Sequence, residues 1–305
     1  MINRRTVVGM AAAVVAVAAS TSAAVAQSWK DKYSELVFAI VPSENASSVT
    51  ERYAPMIAYL SKELGTKVTM RVAQDYAAVI EGQKAGQIHI GYYGPASFAR
   101  ALMTGAKVEA FAQDVNEDGT KGYFSVVWVK KDSTATKIED LKGKNLCLVD
   151  PNSTSGNNVP RYAMNKMGIE PEKFFSKVVY SGSHENAIIG VQQGTCDAAF
   201  NWYNDDKESL LLRMDRKGMT KAADFKMIFK SDQIINSPMA VLSDMPADLK
   251  KAIKDAILNI ATKDNAAFVK ATDGKAKPWE TVDNKAYDTI VELNKFVDEL
   301  RKKKS

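Results

Sequence analysis

The chain has 305 residues, of which 46% are hydrophobic and 25% charged, a composition typical of a folded protein and not of a disordered or fibrous one. Its two histidines and two cysteines are too few for a Cys/His zinc site, and the sequence has no metalloprotease motif and no redox CxxC pair. The formal net charge of +5 is too mild and dispersed for a nucleic-acid-binding surface. The length exceeds one typical domain, so we expect two lobes.

Residues 1–26 have the three parts of an export signal. Arg4 and Arg5 are the only charges, a short run rich in alanine and valine follows, and Ala-Val-Ala at 24–26 ends the segment. This order predicts a secretory signal peptide. The apolar run is shorter than the roughly 20 residues of a membrane span. Paired arginines leave Sec and twin-arginine export open. We therefore expect an exported protein whose mature form carries a net charge of roughly +3.

Export would place the two cysteines in an oxidising compartment, where a pair can form a disulfide. Cys147 lies in the strand-like segment NLCLV, and Cys196 begins the segment CDAAF. Both precede loops of the same predicted lobe, so neighbouring strands would bring them together. We expect a disulfide between them, with two buried free thiols as the alternative.

Strand-like and helix-like segments alternate along the chain. LVFAIV, KVTMRV, IHIGYYG and KVEAFAQ have strand patterns, and helical periodicity at 46–64 ends at Gly65. DYAAVIEGQKAG and PASFARALMTG are two more predicted helices. After a turn at 116–122 the alternation restarts through YFSVVWVKK, NLCLVD, KVVYSG and CDAAFNW. This succession predicts an α/β fold with two mainly parallel sheets flanked by helices.

The division of the chain into lobes follows from these segments. We assign 27–123 and 243–305 to lobe 1 and 124–242 to lobe 2, so that the chain crosses between the lobes twice. In open α/β sheets, ligands bind beyond the carboxyl ends of the strands. The loops after strands are therefore the candidate site, and a cleft between the lobes is the expected place for a ligand.

The loop DPNSTSG carries three consecutive hydroxyls, Ser153, Thr154 and Ser155, at the start of a predicted helix. The first N–H groups of a helix are unpaired, and the helix dipole places partial positive charge there. Added hydroxyl donors make an anion site that requires no lysine or arginine. The alternative is an ordinary helix cap, for which one Ser or Thr is enough.

Four more side chains follow strands in the same way. His184, in SGSHENA, begins a predicted helix, where a bound dianion would favour its charged form; the alternative is a capping or core histidine. Tyr76, Tyr92 and Tyr93 lie at the corresponding strand ends of the first lobe. His89, inside a strand, is interpreted as structural.

In their order and spacing, YYGPAS, GYFSVVWVKKDS, DPNSTSG and SGSHENA resemble the phosphonate-binding proteins of bacterial ABC transporters, a family that also includes binders of phosphate and phosphite. The resemblance covers nearly the whole mature chain and is weakest in the C-terminal helices. It implies a type II periplasmic-binding-protein fold with a ligand cleft between its lobes. It further implies a periplasmic location, an ABC permease as partner, and no catalysis. We expect a monomer without cofactor, metal or nucleic acid.

The resemblance also implies roles for the candidate residues. Ser153, Thr154, Ser155 and His184 would hold the oxygens of a small phosphorus oxyanion from the second lobe. Tyr76 and Tyr93 would close on the ligand from the first lobe, with Tyr92 beside them.

One departure concerns the far part of the pocket, where family members that bind aminoalkylphosphonates hold the amine with carboxylates. Residues 201–205 are Asn-Trp-Tyr-Asn-Asp, and Asn236 and Ser237 stand where an acid is expected. Asn201, Tyr203 and Asp205 are included among the candidate ligand residues. Three acids are left as amine partners: Glu44, Glu185 and Asp205. We expect small ligands to bind more tightly than 2-aminoethylphosphonate.

Two alternatives to phosphonate capture are considered. The same fold could bind inorganic phosphate, phosphite or another nutrient anion such as a sulfonate. An exported hydrolase could use Ser153 or Ser183 with His184 and an acid, but the sequence has no GxSxG elbow that would support it.

Overall fold

The computed structural model of the protein describes residues 28–302, and the signal peptide predicted for 1–26 lies outside this range. The strands of the described residues form two sheets. In chain order these strands are β1 (Glu35–Ile40), β2 (Lys67–Val72), β3 (Ile90–Tyr92), β4 (Val108–Asn116), β5 (Gly122–Lys130), β6 (Asn145–Leu148), β7 (Lys177–Tyr180), β8 (Ala198–Asp205), β9 (Glu208–Ser209), β10 (Phe225–Lys230), β11 (Ile234–Ile235), β12 (Pro238–Leu242) and β13 (Ala276–Thr281).

Helices cover both sheets. In chain order they are α1 (Ser28–Lys32), α2 (Ala46–Leu64), α3 (Tyr76–Lys84), α4 (Pro95–Met103), α5 (Val159–Lys166), α6 (Pro171–Phe174), α7 (His184–Gln193), α8 (Leu210–Arg216), α9 (Ala247–Leu258), α10 (Ile260–Lys263), α11 (Asn265–Thr272) and α12 (Asp288–Lys302). A π-helical turn, Thr154–Asn158, precedes α5. No helix between residues 28 and 302 is long and apolar enough to cross a membrane.

We call each sheet with the helices packed on it a lobe. The first sheet has the order β13-β4-β12-β3-β1-β2, and the second has the order β10-β5-β8-β6-β7. In the first, β1 is parallel to β2 and β3, whereas β12 is antiparallel to β3 and β4. In the second, β6 is parallel to β7 and β8, whereas β5 is antiparallel to β8 and β10. The two-sheet α/β fold is confirmed.

The sheets are mixed, so the prediction that they are mainly parallel was wrong. The parallel strands are those joined by the helices that the periodicity reveals. The antiparallel strands β4, β5 and β12 lie next to the places where the chain crosses between the lobes. Antiparallel neighbours need no crossover helix, so a βαβ reading of the sequence does not find them.

The chain enters the second sheet between β4 and β5 and returns to the first between β11 and β12. The predicted return at residue 243 was therefore too late, because β12 lies between β3 and β4 in the first sheet. All five residues of β12 are buried. An uninterrupted apolar strand does not reveal which sheet it joins.

The strand β13 was not predicted, because Pro278 falls inside it. This strand pairs with β4 at the edge of the first sheet, where proline is tolerated.

Local signals set several element ends as expected. Helix α2 ends at Gly65, whose φ of 61° is left-handed and whose N–H bonds the Ser61 carbonyl. Ser183 caps α7 by accepting a hydrogen bond from the Asn186 N–H at 3.1 Å. His89 accepts a hydrogen bond from the Val37 N–H at 3.0 Å, which is the structural role expected for it.

The expected disulfide joins Cys147 in β6 to Cys196 just before β8, with the two Cα atoms 5.8 Å apart. Because β6 and β8 are neighbouring strands, their parallel pairing brings the two cysteines together. The bond closes a segment with a sequence separation of 49 residues. This segment contains both candidate loops of the second lobe, 150–156 and 181–187.

We predict that reduction of this disulfide, or the Cys147→Ser/Cys196→Ser variant, lowers the free energy of unfolding by about 2–4 kcal/mol, because the open segment gains conformational freedom in the unfolded chain. Urea unfolding with and without reductant measures the change. An unchanged midpoint would show that the bond adds no stability.

Candidate functional site

A cavity of about 170 Å³ lies between the two lobes and is lined by residues of both. Three helices begin at its wall or beside it: α3 at Tyr76, α4 after Gly94 and α7 at His184. The π-helical turn also begins there, at Thr154. Helix starts carry unpaired N–H groups and partial positive charge, so this cavity suits a negatively charged ligand.

Several side chains that carry hydroxyl or imidazole groups line the cavity. Those in the 153–155 loop and those hydrogen-bonded to it are called the hydroxyl cluster here: Tyr76, Tyr123, Ser153, Thr154, Ser155 and His184. The sequence predicted all of them except Tyr123, which lies at the start of β5 and was read as a strand residue. Burial raises the pKa of Tyr76, and a hydrogen bond with Ser153 opposes this rise. Burial likewise raises the pKa of Tyr123, against hydrogen bonds with Thr154 and Ser155. All these hydroxyls therefore stay protonated and can donate to an anion.

The backbone of the loop at 153–156 is tightly packed. Ser153 Oγ accepts a hydrogen bond from the Gly156 N–H at 3.1 Å, and Ser125 Oγ donates to the Ser155 carbonyl at 2.6 Å. A Cβ at Gly156 would lie 2.4 Å from the Val149 side chain. Glycine is therefore required at this position if the loop is to lie against β6.

His184 is held by both lobes. Its N–H donates to the Ser43 carbonyl at 3.0 Å, its Nδ1 lies 2.9 Å from Asn201 Oδ1, and its Nε2 lies 3.4 Å from Ser153 Oγ. Burial lowers the pKa of His184 to about 4, against raising contributions from Asn201 and Glu44. The imidazole is therefore neutral at pH 7. With Nδ1–H donating to Asn201, the opposite nitrogen is directed toward Ser153.

Two of the predicted tyrosines line the cavity with hydroxyls that are already engaged. The Tyr93 hydroxyl donates to Gln83 Oε1 at 2.6 Å, and Tyr93 is 1% exposed. The Tyr92 hydroxyl donates to Asp114 Oδ1. Tyr93 thus contributes to the wall, but its hydroxyl is not free for a ligand.

Three predicted residues after the CDAAF strand do not line the cavity. Asn201 lies behind His184, the Tyr203 hydroxyl donates to Asp206, and Asp205 accepts the N–H groups of Lys207 and Glu208. The sequence reading expected a loop here, but β8 continues to residue 205. Side chains alternate along a strand, so Trp202 and Asn204 face the cavity instead.

Charged residues that the sequence analysis did not place at the site form an ionic cluster around Glu44, which is 2% exposed. Glu44 of the first lobe pairs with Arg52 of the same lobe and with Arg213 and Lys217 of the second, the last two at 2.9 and 2.8 Å. Burial raises the pKa of Glu44, but the three cations lower it by more than burial raises it, so that the pKa is about 2. No motif indicates these contacts, because the partners are up to 173 residues apart.

Both arginines of the cavity wall are engaged. Arg213 Nη2 lies 2.7 Å from Glu208 Oε1, and its guanidinium stacks on Trp202 at 4.9 Å from the ring centroid. Arg52 Nη1 donates to the Ala271 carbonyl at 2.6 Å. Arg52 Nε has no partner among the described residues but is buried away from open space. An anion in the cavity therefore has the hydroxyl cluster as its main source of donors.

Further contacts join the lobes beside the cavity. The Asn45 N–H donates to Glu185 Oε2 at 2.7 Å, and the Ala96 N–H of α4 donates to Thr154 Oγ1 at 2.8 Å. With the pairs of Glu44, these bonds hold the lobes closed on the cavity. Between residues 28 and 302, no group of three His, Cys, Asp or Glu side chains is placed to hold a metal ion.

We predict that Glu44→Gln lowers the free energy of unfolding at pH 7 by about 3 kcal/mol, because it leaves buried cations without their partner. The pKa of Glu44 is lower in the folded protein than the value near 4.5 of the unfolded chain. Glu44 therefore adds to the free energy of unfolding above pH 4.5, and this contribution is lost as the pH falls toward 2. Urea unfolding of both proteins between pH 7 and pH 2.5 measures this. The control is Glu51→Gln, whose carboxylate is exposed. A difference between Glu44→Gln and wild type that stays constant below pH 3 would contradict the assignment.

Comparisons with known proteins place the chain in a family. Residues 38–287 match the family model described as "ABC transporter, phosphonate, periplasmic substrate-binding protein". The phosphate-import protein PhnD of Mycolicibacterium smegmatis is 30% identical over 67% of this chain, and the phosphonates-binding periplasmic protein of Escherichia coli is 31% identical over 73%. The match spans 65% of the length of each of these relatives.

Solved structures show the same fold. A binding protein component of an ABC phosphonate transporter from Pseudomonas aeruginosa has a TM-score of 0.77 at 27% identity, with 86% of each chain covered. PhnD1 from Prochlorococcus marinus in complex with methylphosphonate also has a TM-score of 0.77, at 22% identity, covering 87% of this chain and 98% of that one. The chain thus belongs to the family of periplasmic substrate-binding proteins of phosphonate ABC transporters.

Proposed function

We propose that the protein captures a phosphonate or a related small phosphorus oxyanion in the cavity between its lobes and delivers it to an ABC permease from the periplasm. The observation that carries this proposal is the hydroxyl cluster, which gathers at helix starts while both arginines of the cavity are engaged. Relatives named for phosphate, phosphonate and phosphite support the same ligand class. The predicted signal peptide supports export.

The mechanism is closure of the lobes on the oxyanion. The proposed lobes are 28–116 with 238–302, and 122–235, with the hinges in the two short segments that connect them. The ligand docks on the open second lobe at Ser153, Thr154 and Ser155. Closure then brings Tyr76 and the start of α4 onto the ligand, while Glu44 engages Arg213 and Lys217.

The affinity follows from the number of donors. A hydrogen bond to a charged ligand contributes about 1.5–3 kcal/mol. Five or six such bonds, less the cost of desolvation and closure, give a Kd near or below about 1 µM. The hydroxyl donors are neutral, so the ligand's charge is spread over many dipoles instead of being neutralised by one cation.

We infer that the site binds without turnover. Ser153 and His184 lie 3.4 Å apart, but the residue behind the imidazole is the amide Asn201, and Ser153 Oγ caps the π-helical turn. A hydrolase of this type would need an acid to stabilise the imidazolium. Release of chromophore from a phosphoester by the purified protein, lost in Ser153→Ala, would overturn this inference.

We predict that Ser155→Ala and His184→Ala each weaken methylphosphonate binding by at least about tenfold, because Ser155 is a hydroxyl donor to a buried anion and His184 becomes a donor at Nε2 when the bound anion favours its protonated form. Isothermal titration calorimetry measures the Kd. The control is Ser243→Ala, whose side chain lies outside the cavity. Unchanged affinity in both test variants would refute the site.

A second prediction concerns the proton of His184. Burial lowers the pKa of His184 to about 4, whereas a bound dianion would favour the imidazolium, so binding takes up part of a proton at pH 6. Calorimetry in buffers of different ionisation enthalpy measures this uptake. His184→Gln is expected to remove the His184 contribution, leaving that of the ligand. Equal uptake by both proteins would show that His184 stays neutral.

A further inference from the structure

The imidazole of His184 can carry its hydrogen on either of two nitrogens, and the neighbours of the ring decide which. Nδ1 lies 2.9 Å from Asn201 Oδ1, and Nε2 lies 3.4 Å from Ser153 Oγ. Asn201 is 0% exposed and His184 is 3% exposed. Each ring nitrogen therefore faces one buried side chain, and these two side chains set the tautomer.

The Ser153 hydroxyl favours a hydrogen on Nδ1 of the ring. Ser153 Oγ accepts the Gly156 N–H at 3.1 Å and also hydrogen-bonds with Tyr76. A hydroxyl has two lone pairs and one hydrogen. When Gly156 and Tyr76 both donate to Ser153 Oγ, its hydrogen is left for Nε2 of His184. Nε2 then accepts, and Nδ1–H donates to Asn201.

This tautomer imposes a condition on the anion. The lone pair of Nε2 points toward Ser153, where the proposed site places a ligand oxygen. Two acceptors repel each other unless a hydrogen lies between them. A phosphonate monoanion, R–PO₃H⁻, brings this proton itself, and a dianion can bind when water protonates the imidazole. In both cases the complex holds one proton between Nε2 and a ligand oxygen.

A sulfonate has the same three oxygens in the same geometry but no proton to bring. It stays ionised throughout the pH range in which proteins are folded, whereas the second ionisation of a phosphorus acid lies near neutral pH. A sulfonate can therefore bind only if water protonates His184. Burial lowers the pKa of His184 to about 4, so this protonation is costly at pH 7.

The amide at position 201 keeps this cost high. A carboxylate behind the imidazole would stabilise the imidazolium, and a fully ionised ligand would then meet a ready donor. Asn201 lies inside β8 and pairs with Val126 of β5, so the sheet fixes its position. Its Nδ2 has no partner among the described residues. The hydrogen bond of this side chain within residues 28–302 is therefore the one to His184.

The charged and titratable groups around the imidazole do not replace Asn201 in this role. Glu44 raises the pKa of His184, but burial outweighs it. The carboxylate of Glu185, next along α7, pairs with a lysine. Both tyrosine hydroxyls of the hydroxyl cluster stay protonated. The groups contributed by the segments around α7 are Glu44, Tyr76, Tyr123, Glu185, Arg213 and Lys217.

We propose that Asn201 is a positioning residue that fixes the hydrogen of His184 on Nδ1, so that Nε2 accepts and the site selects a phosphorus oxyanion that shares a proton over a sulfonate of the same shape. This inference rests on the proposed function. It places Asn201 one step behind the ligand, where the sequence analysis expected a direct contact.

The first test is ¹⁵N NMR of the histidine-labelled mature protein at pH 7 without ligand. We expect His184 to carry its hydrogen on Nδ1. The internal reference is His89, whose Nδ1 accepts the Val37 N–H and whose pKa is lowered by burial, so that its hydrogen lies on Nε2. The chain has two histidines, so His184→Gln assigns both signals. A hydrogen on Nε2 of His184 would overturn the proposal.

The second test is calorimetric titration of the wild-type protein with methylphosphonate and methanesulfonate between pH 8 and pH 5. At pH 7 we expect methylphosphonate to bind at least about a hundredfold more tightly. The affinity for methanesulfonate should rise as the pH falls, by up to about tenfold per pH unit, because His184 is then protonated at lower cost. The affinity for methylphosphonate should change less, since this ligand carries the proton itself.

Two variants separate the role of Asn201 from that of added charge. Asn201→Asp should raise the pKa of His184 in the NMR titration and narrow the preference for methylphosphonate at least about tenfold. Asn201→Leu adds no charge and should also narrow it, because Nε2 can then carry the hydrogen. The matched control is Asn165→Asp, which adds a carboxylate on α5 outside the cavity and should change neither the preference nor its pH dependence.

Methanesulfonate that binds as tightly as methylphosphonate at pH 7, or with an affinity independent of pH, would overturn the proposal. Equal weakening of both ligands by Asn201→Asp and Asn201→Leu would also overturn it, since that pattern indicates a structural role. The NMR spectrum and the titrations of the wild-type protein decide the question even if a variant does not fold. If the wild-type protein binds no phosphorus oxyanion, methylphosphonate included, the proposed function itself fails and this inference with it.

Discussion

The buried ion pairs of Glu44 are the interaction on which the rest of the cavity depends. One carboxylate of the first lobe holds Arg213 and Lys217 of the second, so closure of the lobes and assembly of the cavity wall are the same event. Removing a charge from water is costly unless it is well paired, and Glu44 gains two of its three cation partners only when the lobes are together. The arrangement of the two lobes around the cavity is therefore stabilised by ion pairs within the protein itself.

The same ion pairs engage the arginines that an anion could otherwise bind. Arg52 and Arg213 line the cavity, yet their charges are offset by Glu44 and Glu208. The donors that are not already paired with carboxylates are hydroxyls and the N–H groups at helix starts. Hydrogen bonds to the backbone fix their geometry, such as the one from Ser125 Oγ to the Ser155 carbonyl. Such donors surround a tetrahedral oxyanion from several directions, and burial makes each bond stronger than it would be in water. In the proposed site, recognition by oriented dipoles replaces recognition by a basic patch, in agreement with the small net charge.

The parts predicted from the sequence are those encoded locally. Gly65 ends its helix, and Ser153 to Ser155 begin a helical turn, because both effects depend on a few adjacent residues. The errors arise where distant contacts decide. The sheet that β12 joins and the length of β8 are set by tertiary pairing, and one extra stretch of strand turned Tyr203 and Asp205 away from the cavity. The pairing of Glu44 with Arg213 depends on elements far apart in the chain, and no local pattern reveals it.

The most direct test of the central claim is a crystal structure of the mature protein with methylphosphonate, since it shows which donors the oxyanion chooses. The expected result is a phosphorus atom beside Ser153, Thr154, Ser155 and His184, with its oxygens within about 3.2 Å of these donors and with Glu44 still paired to Arg213. A ligand bound to Arg52 or Arg213, with the Glu44 pairs broken, would contradict the claim that the arginines are withheld from the anion.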